Sequence, residues 1–239
     1  MEKVFYDLEL SKKLYAHYIE NEIGYSSVCQ RCKSYSASKG RILKNGPIPV
    51  FHIGDQFSES PVRILFLGTV AYGWENEIPN VFIEDKDVRN NFLESTIDYI
   101  ENRIQYIFEK ENKRFFSFIK KCIEEIDVLG SEPLRKIALS NLIKCNIGND
   151  SVRNKHLQKN YDFCIREQFT GNLVSDVNVL NPTHIIILSS NTHKFWRYGK
   201  IFMDQGRKVQ FVHHPSSSTT GGNELFIKTV KEFLINTKV

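Results

Sequence analysis

The 239-residue chain has no apolar run near the length needed to cross a bilayer, which is about 18 residues or more. Its opening, MEKVFYDLEL, lacks the basic and apolar regions of a secretory signal. Those two absences predict a soluble, cytoplasmic protein with no membrane partner. There is no internal repeat, no low-complexity tract and no evident linker, which excludes solenoids and predicts one domain over residues 1–239, expected to act as a monomer. There is also no block of like charges. With 32 basic and 28 acidic residues the net charge is +4, a mildly basic balance that permits nucleic acid as a partner without demanding it. Cysteine is scarce: five residues, an odd number, which does not suit a disulfide scaffold. In a reducing compartment, paired cysteines are more often metal ligands or core residues.

What is present reads as a globular α/β protein. The hydrophobic fraction of 41% is enough for a sizeable core. Leu8, Leu14, Tyr15, Tyr18 and Ile19 fall at helical spacing, predicting a helix over 8–23 that stops before Gly24. Cys29-Gln-Arg-Cys32 follows in a polar stretch; two thiolates three positions apart can bind one metal but supply only half of a tetrahedral site. Four apolar runs read as strands: 62–69, 136–145, 183–190 and 208–213. Helical rhythm fills 90–126, as one helix or two with a break near Asn112, and recurs at 156–180, at 191–204 and from Asn223 onward. Cys122 falls in this apolar pattern and reads as core. The alternation predicts a three-layer α/β/α fold with a central, mostly parallel four-stranded sheet.

The stretch with most chemical promise is 208–222, KVQFVHHPSSSTTGG. Pro215 lacks the donor a strand needs, so the strand should end at His214. The hydroxyl- and glycine-rich residues that follow offer donors to an anion, with a histidine at their lip to meet developing negative charge. A second loop, Gly68-Thr-Val-Ala-Tyr-Gly-Trp-Glu-Asn-Glu, leaves the carboxyl end of the first buried strand, where open α/β sheets place ligands.

Together, the GxxxxG loop after the first strand, Asn141 near the end of the second, and His-Pro-Ser after the last resemble the uracil-DNA glycosylase superfamily. The likeness is nearest to its iron-sulfur branch, which carries an early Cys-x-x-Cys, an Asn-x-x-Lys-Cys segment and a further cysteine. This chain has Cys29 and Cys32, then Asn141-Leu-Ile-Lys-Cys145, then Cys164. The resemblance covers the cysteine segment within 1–45 and residues 61–90 and 136–239, leaving 90–135 as a helical enlargement. It implies DNA as partner and a base-excision reaction on a flipped uracil or modified pyrimidine. His214 would be the donor to the leaving base, Asn141 the reader of the base edge and Phe82 the stacking ring. Tyr72 would wall the pyrimidine beside Gly68 and Thr69, and Ser216 and Ser217 would grip phosphates. Cys29, Cys32, Cys145 and Cys164 would hold a [4Fe–4S] cluster, or by donor chemistry alone a zinc ion. One motif departs from the pattern: Gly68-Thr69-Val70-Ala71-Tyr72 has no carboxylate to position water. Glu75 or Glu77, with Asp85 third, would have to substitute, or the sugar cation captures water unaided, or the protein binds DNA without cleaving it. An altered pocket would also suit a bulkier modified pyrimidine, as in defence against phage DNA.

Overall fold

In the computed structural model the described residues are 6–24, 26–40, 50–70, 114–145, 159–160, 162–166, 172–189, 192–213 and 222–237. Helix α1, Leu8–Glu20, starts where the Asp7 carboxylate accepts from the Leu10 N–H at 2.8 Å, and the chain leaves it through Gly24 at φ 104°. Helix α2, Ser27–Ser38, carries Cys29 and Cys32, a stretch that the sequence reading left without an element. Ser26 caps it, accepting from the Cys29 N–H at 3.3 Å. Its buried positions, Val28, Cys32 and Ser36, recur every four residues, a single inward stripe.

Next come strand β1 (Val50–Ile53), strand β2 (Ile64–Val70), helix α3 (Arg114–Glu124) and strand β3 (Ile137–Ile143). A π-helical turn spans Asp162–Arg166, followed by helix α4 (Asn172–Leu180), strand β4 (His184–Leu188), helix α5 (Thr192–Asp204), strand β5 (Lys208–Val212) and helix α6 (Gly222–Asn236). The sheet order is β1-β3-β2-β4-β5, with β1 antiparallel to β3 and the other pairs parallel. Among the described residues the sheet therefore has five strands where the sequence predicted four. The extra one, β1, is four residues long, follows Pro47 and Pro49, and shifts register between Val50 and His52. A strand that short shows no alternation, and the prolines mark an edge. Strand β5 ends at Val212, with His213 already exposed.

Alternate strand residues feed two cores. Ile64 and Phe66 of β2, with Ile137 and Leu139 of β3, join Ile119 and Ile123 of α3 and Phe226 and Val230 of α6. Leu65, Leu67, Ala138 and Leu142 join Leu14 of α1, Val177 of α4 and Phe202 of α5. Burial on both sides is why β2 and β4 read as unbroken apolar runs. Cys122 is packed in the first core, where burial pushes its thiol up to about 12. The helical pattern read over 156–180 is helical wherever residues are described: α-helix at 159–160, the π-helical turn and α4. Among the described residues, no helix is long and apolar enough to cross a membrane.

Candidate functional site

Because β2, β3, β4 and β5 are mutually parallel, their carboxyl ends share one edge of the sheet. That is where such sheets bind ligands. Gly68 and Asn141 are register partners across β2 and β3 at this edge. A Cβ placed on Gly68 would come within 2.4 Å of Asn141 Oδ1, so the carboxamide fills the space that glycine leaves open. Asn141 is half-buried, and its carboxamide takes no hydrogen-bond partner among the described residues. Thr69, next along β2, is buried at 8% exposure. The segments expected to bear Tyr72 and His214 depart from this edge after Val70 and His213. Tyr72, Glu75, Glu77, Phe82, Asp85, His214, Ser216 and Ser217 themselves lie outside the described residues.

The four cysteines come from three separate places and lie near enough to influence one another's ionisation. Cys29 and Cys32 lie on α2, Cys145 just past β3, and Cys164 in the π-helical turn, an element often found at functional sites. The thiols of Cys32 and Cys164 share a hydrogen bond, and Cys164 also feels the charge of Cys145 and Cys29. That bond, followed by burial, pushes Cys164 well above the usual thiol range. Cys145 is raised chiefly by burial, then by Cys32 and Cys29. Burial likewise raises Cys29. All five cysteines of the chain are thiols, not disulfides.

Donors already point at the sulfurs. The Gly24 N–H donates to Cys29 Sγ at 3.2 Å, and Asn160 Nδ2 donates to Cys32 Sγ at 3.1 Å and to Ser36 Oγ at 2.9 Å. Bonds of this kind support thiolate ligands. Among the described residues, which include all four of these cysteines, no three His, Cys, Asp or Glu side chains are grouped so as to hold a metal ion. Their raised pKa values keep the thiols protonated, and a cation would have to displace those protons on binding. An all-sulfur set of four fits either an iron-sulfur cluster or tetrahedral zinc.

Beside the thiols lies a network that sequence reasoning did not find. Lys144 and Asp176 form an ion pair in which both side chains are fully buried. Asp176 also accepts from the Tyr18 hydroxyl at 2.6 Å and from Ser140 Oγ at 3.5 Å, while Lys144 donates to Ser140. Burial pushes Lys144 down and Asp176 up, and each opposes the shift of the other. Three donors converging on one carboxyl is the pattern of a carboxylate. A serine bonded to a lysine has the composition of a nucleophile and its base. Here Ser140 and Lys144 are both sealed from solvent, so no substrate reaches them. The available signal was a lone lysine in the apolar run Leu-Ile-Lys-Cys.

No protein-family model matches this chain, and no curated protein matches it. The functional case therefore rests on its own residues.

Proposed function

We propose that this protein is a DNA glycosylase of the uracil-DNA glycosylase type, a monomeric cytoplasmic enzyme with that superfamily's three-layer α/β/α architecture over its whole length. It removes a flipped uracil or modified pyrimidine from DNA in base excision. The observation that carries this reading is the Asn141 carboxamide, held at the carboxyl edge in space kept open by Gly68 and unengaged by any described residue. A group of that kind can both donate to and accept from the edge of a pyrimidine.

In the proposed reaction the flipped base enters beside Gly68 and Thr69, stacks on Phe82 and is read by Asn141. Tyr72 limits what fits at the ring's 5-position, and Ser216 and Ser217 hold the flanking phosphates. The C1′–N1 bond breaks, its electron pair leaves with the pyrimidine, and His214 donates to the oxygen on which charge collects, an effect of about 3 to 4 kcal/mol by analogy with oxyanion donors. Water adds to C1′, with Glu75 or Glu77 taking its proton, and an abasic site remains. Cys29, Cys32, Cys145 and Cys164 would hold a [4Fe–4S] cluster, with zinc as the alternative; bound, the group ties α2, the end of β3 and the π-helical turn together. The test is release of free base from oligonucleotides carrying uracil or bulkier modified pyrimidines, the latter as in phage DNA. Alkali-labile sites are expected for wild type and not for His214→Ala. Absorbance near about 400 nm with iron analysis separates cluster from zinc.

A second reading, a DNA-binding protein without catalysis, is favoured by one observation: Gly68 to Tyr72 contains no carboxylate. It expects salt-sensitive DNA binding with every base retained.

A further inference from the structure

The chain as a whole is nearly balanced in charge, with 32 basic and 28 acidic residues, but between Glu22 and Asp55 it has no carboxylate at all. Five cations fall in that stretch: Arg31, Lys33, Lys39, Arg41 and Lys44. Arg31 and Tyr35, four residues apart, share one flank of α2. Lys39, the C-cap, lies over the same flank, its Nζ 5.8 Å from the centre of the Tyr35 ring. A separate element adds to it. Phe163 of the π-helical turn lies 6.2 Å from Tyr35 between ring centres, with the Arg31 guanidinium 5.9 Å and Lys159 Nζ 5.0 Å from its own. Arg31, Lys39 and Lys159 are exposed, and Asp162, beside Phe163 in the turn, is taken by Arg197 at 2.8 Å.

Packing alone accounts for the rings, since Tyr35 and Phe163 close a small apolar cluster with Val28 and Cys32. It does not account for three cations, drawn from two elements, on one flank where like charges repel. Rings that carry cations on their faces fix those charges without neutralising them. Spaced positive charge interleaved with aromatic rings suits the backbone of a nucleic acid. The turn that bears Phe163 packs against both α2 and β3, so one element joins this flank to the strand that carries Asn141.

We infer that Arg31, Lys39 and Lys159, braced by Tyr35 and Phe163, form a second DNA contact that grips the sugar-phosphate backbone whatever the base. The choice of DNA rests on the glycosylase reading, whereas the charge argument is independent of cleavage and of any metal.

The experiment is the binding of the full-length chain to a labelled, uracil-free duplex, followed by anisotropy over a range of salt concentrations. In Arg31→Gln/Lys39→Gln/Lys159→Gln the slope of log affinity against log salt is expected to become shallower by about two to three, since each phosphate contact contributes about 0.9. A control, Lys12→Gln/Lys200→Gln/Lys228→Gln, removes the same charge from exposed positions on α1, α5 and α6 and is expected to keep the wild-type slope. Circular dichroism checks that both fold; should the first triple variant not, Lys159→Gln alone reads a slope change of about one. An unchanged slope in the first variant, equal shallowing in both, or wild-type protein that does not bind the duplex at low salt would overturn the inference. Wild type that releases no base while the two variants still differ would remove the glycosylase reading and leave this contact standing. Base release with no such difference would do the reverse.

Discussion

Asn141 and Lys144 stand three residues apart at the end of one strand and occupy opposite situations. Asn141 follows Ile137 and Leu139 in the alternation of β3, is half-buried, and has hydrogen-bonding capacity unspent among the described residues. Lys144 is sealed beside Asp176 and Ser140, its capacity spent. A polar group held in place but unengaged suits a ligand, whereas a polar group fully engaged and buried suits support. By that criterion the strand edge is where chemistry is sought, and the network behind it is what holds the edge in position.

If Lys144 and Asp176 are support, removing one charge should be the most damaging change. Lys144→Met is expected to cost about 3 to 5 kcal/mol, because a carboxylate is left buried without its counter-charge; urea denaturation measures it. A cost below about 1 kcal/mol would erase the contrast with Asn141.

Acid provides a graded probe of the sheet that both regions share. His52, on β1, donates from Nε2 to the Leu134 carbonyl at 2.8 Å, and burial pushes its pKa down to about 4. Burial moves His184 the same way, also to about 4. A depressed histidine binds its proton more readily in the unfolded chain, so stability is constant above about pH 6.5 and falls as the pH drops from there toward 4, by up to about 1.4 kcal/mol per pH unit for each such group. Urea midpoints across that range check the sign.

Gly68→Ala should cost about 1 kcal/mol at most, as the new methyl meets only the end of the Asn141 side chain, Oδ1 at 2.4 Å, which must swing aside. Base release is expected to fall with it. The smallest effect on stability should come from Asn141→Ala, within about 0.5 kcal/mol of wild type, although base release drops about ten- to a hundredfold, the worth of a good bidentate base contact. If Asn141→Ala instead destabilises as strongly as Gly68→Ala, the carboxamide belongs to the scaffold.

Much of the sheet was legible in the sequence, for physical reasons that also explain the misses. Strands β2 and β4, buried on both faces, write themselves as unbroken apolar runs. Strand β1, four residues at an edge, writes no pattern at all. Helix α2 was hidden because its inward stripe is Val28, Cys32 and Ser36, only partly apolar by composition. The cysteine spacing raised the question of a shared site, yet the meeting of Cys32 with Cys164 depends on how a π-helical turn packs against α2. The contact of Gly68 with Asn141 depends on strand register. The pairing of Lys144 with Asp176 was the least visible, since a lysine and an aspartate far apart in the chain are most often both on the surface.

The most direct measurement is base release from duplex and single-stranded oligonucleotides carrying uracil or larger modified pyrimidines, scored as alkali-labile sites. Glycosylase chemistry requires wild-type protein to release one of these bases and Asn141→Ala to release it about ten- to a hundredfold more slowly while remaining folded. Wild-type protein that binds such DNA with steep salt dependence, yet leaves every pyrimidine in place, would contradict it.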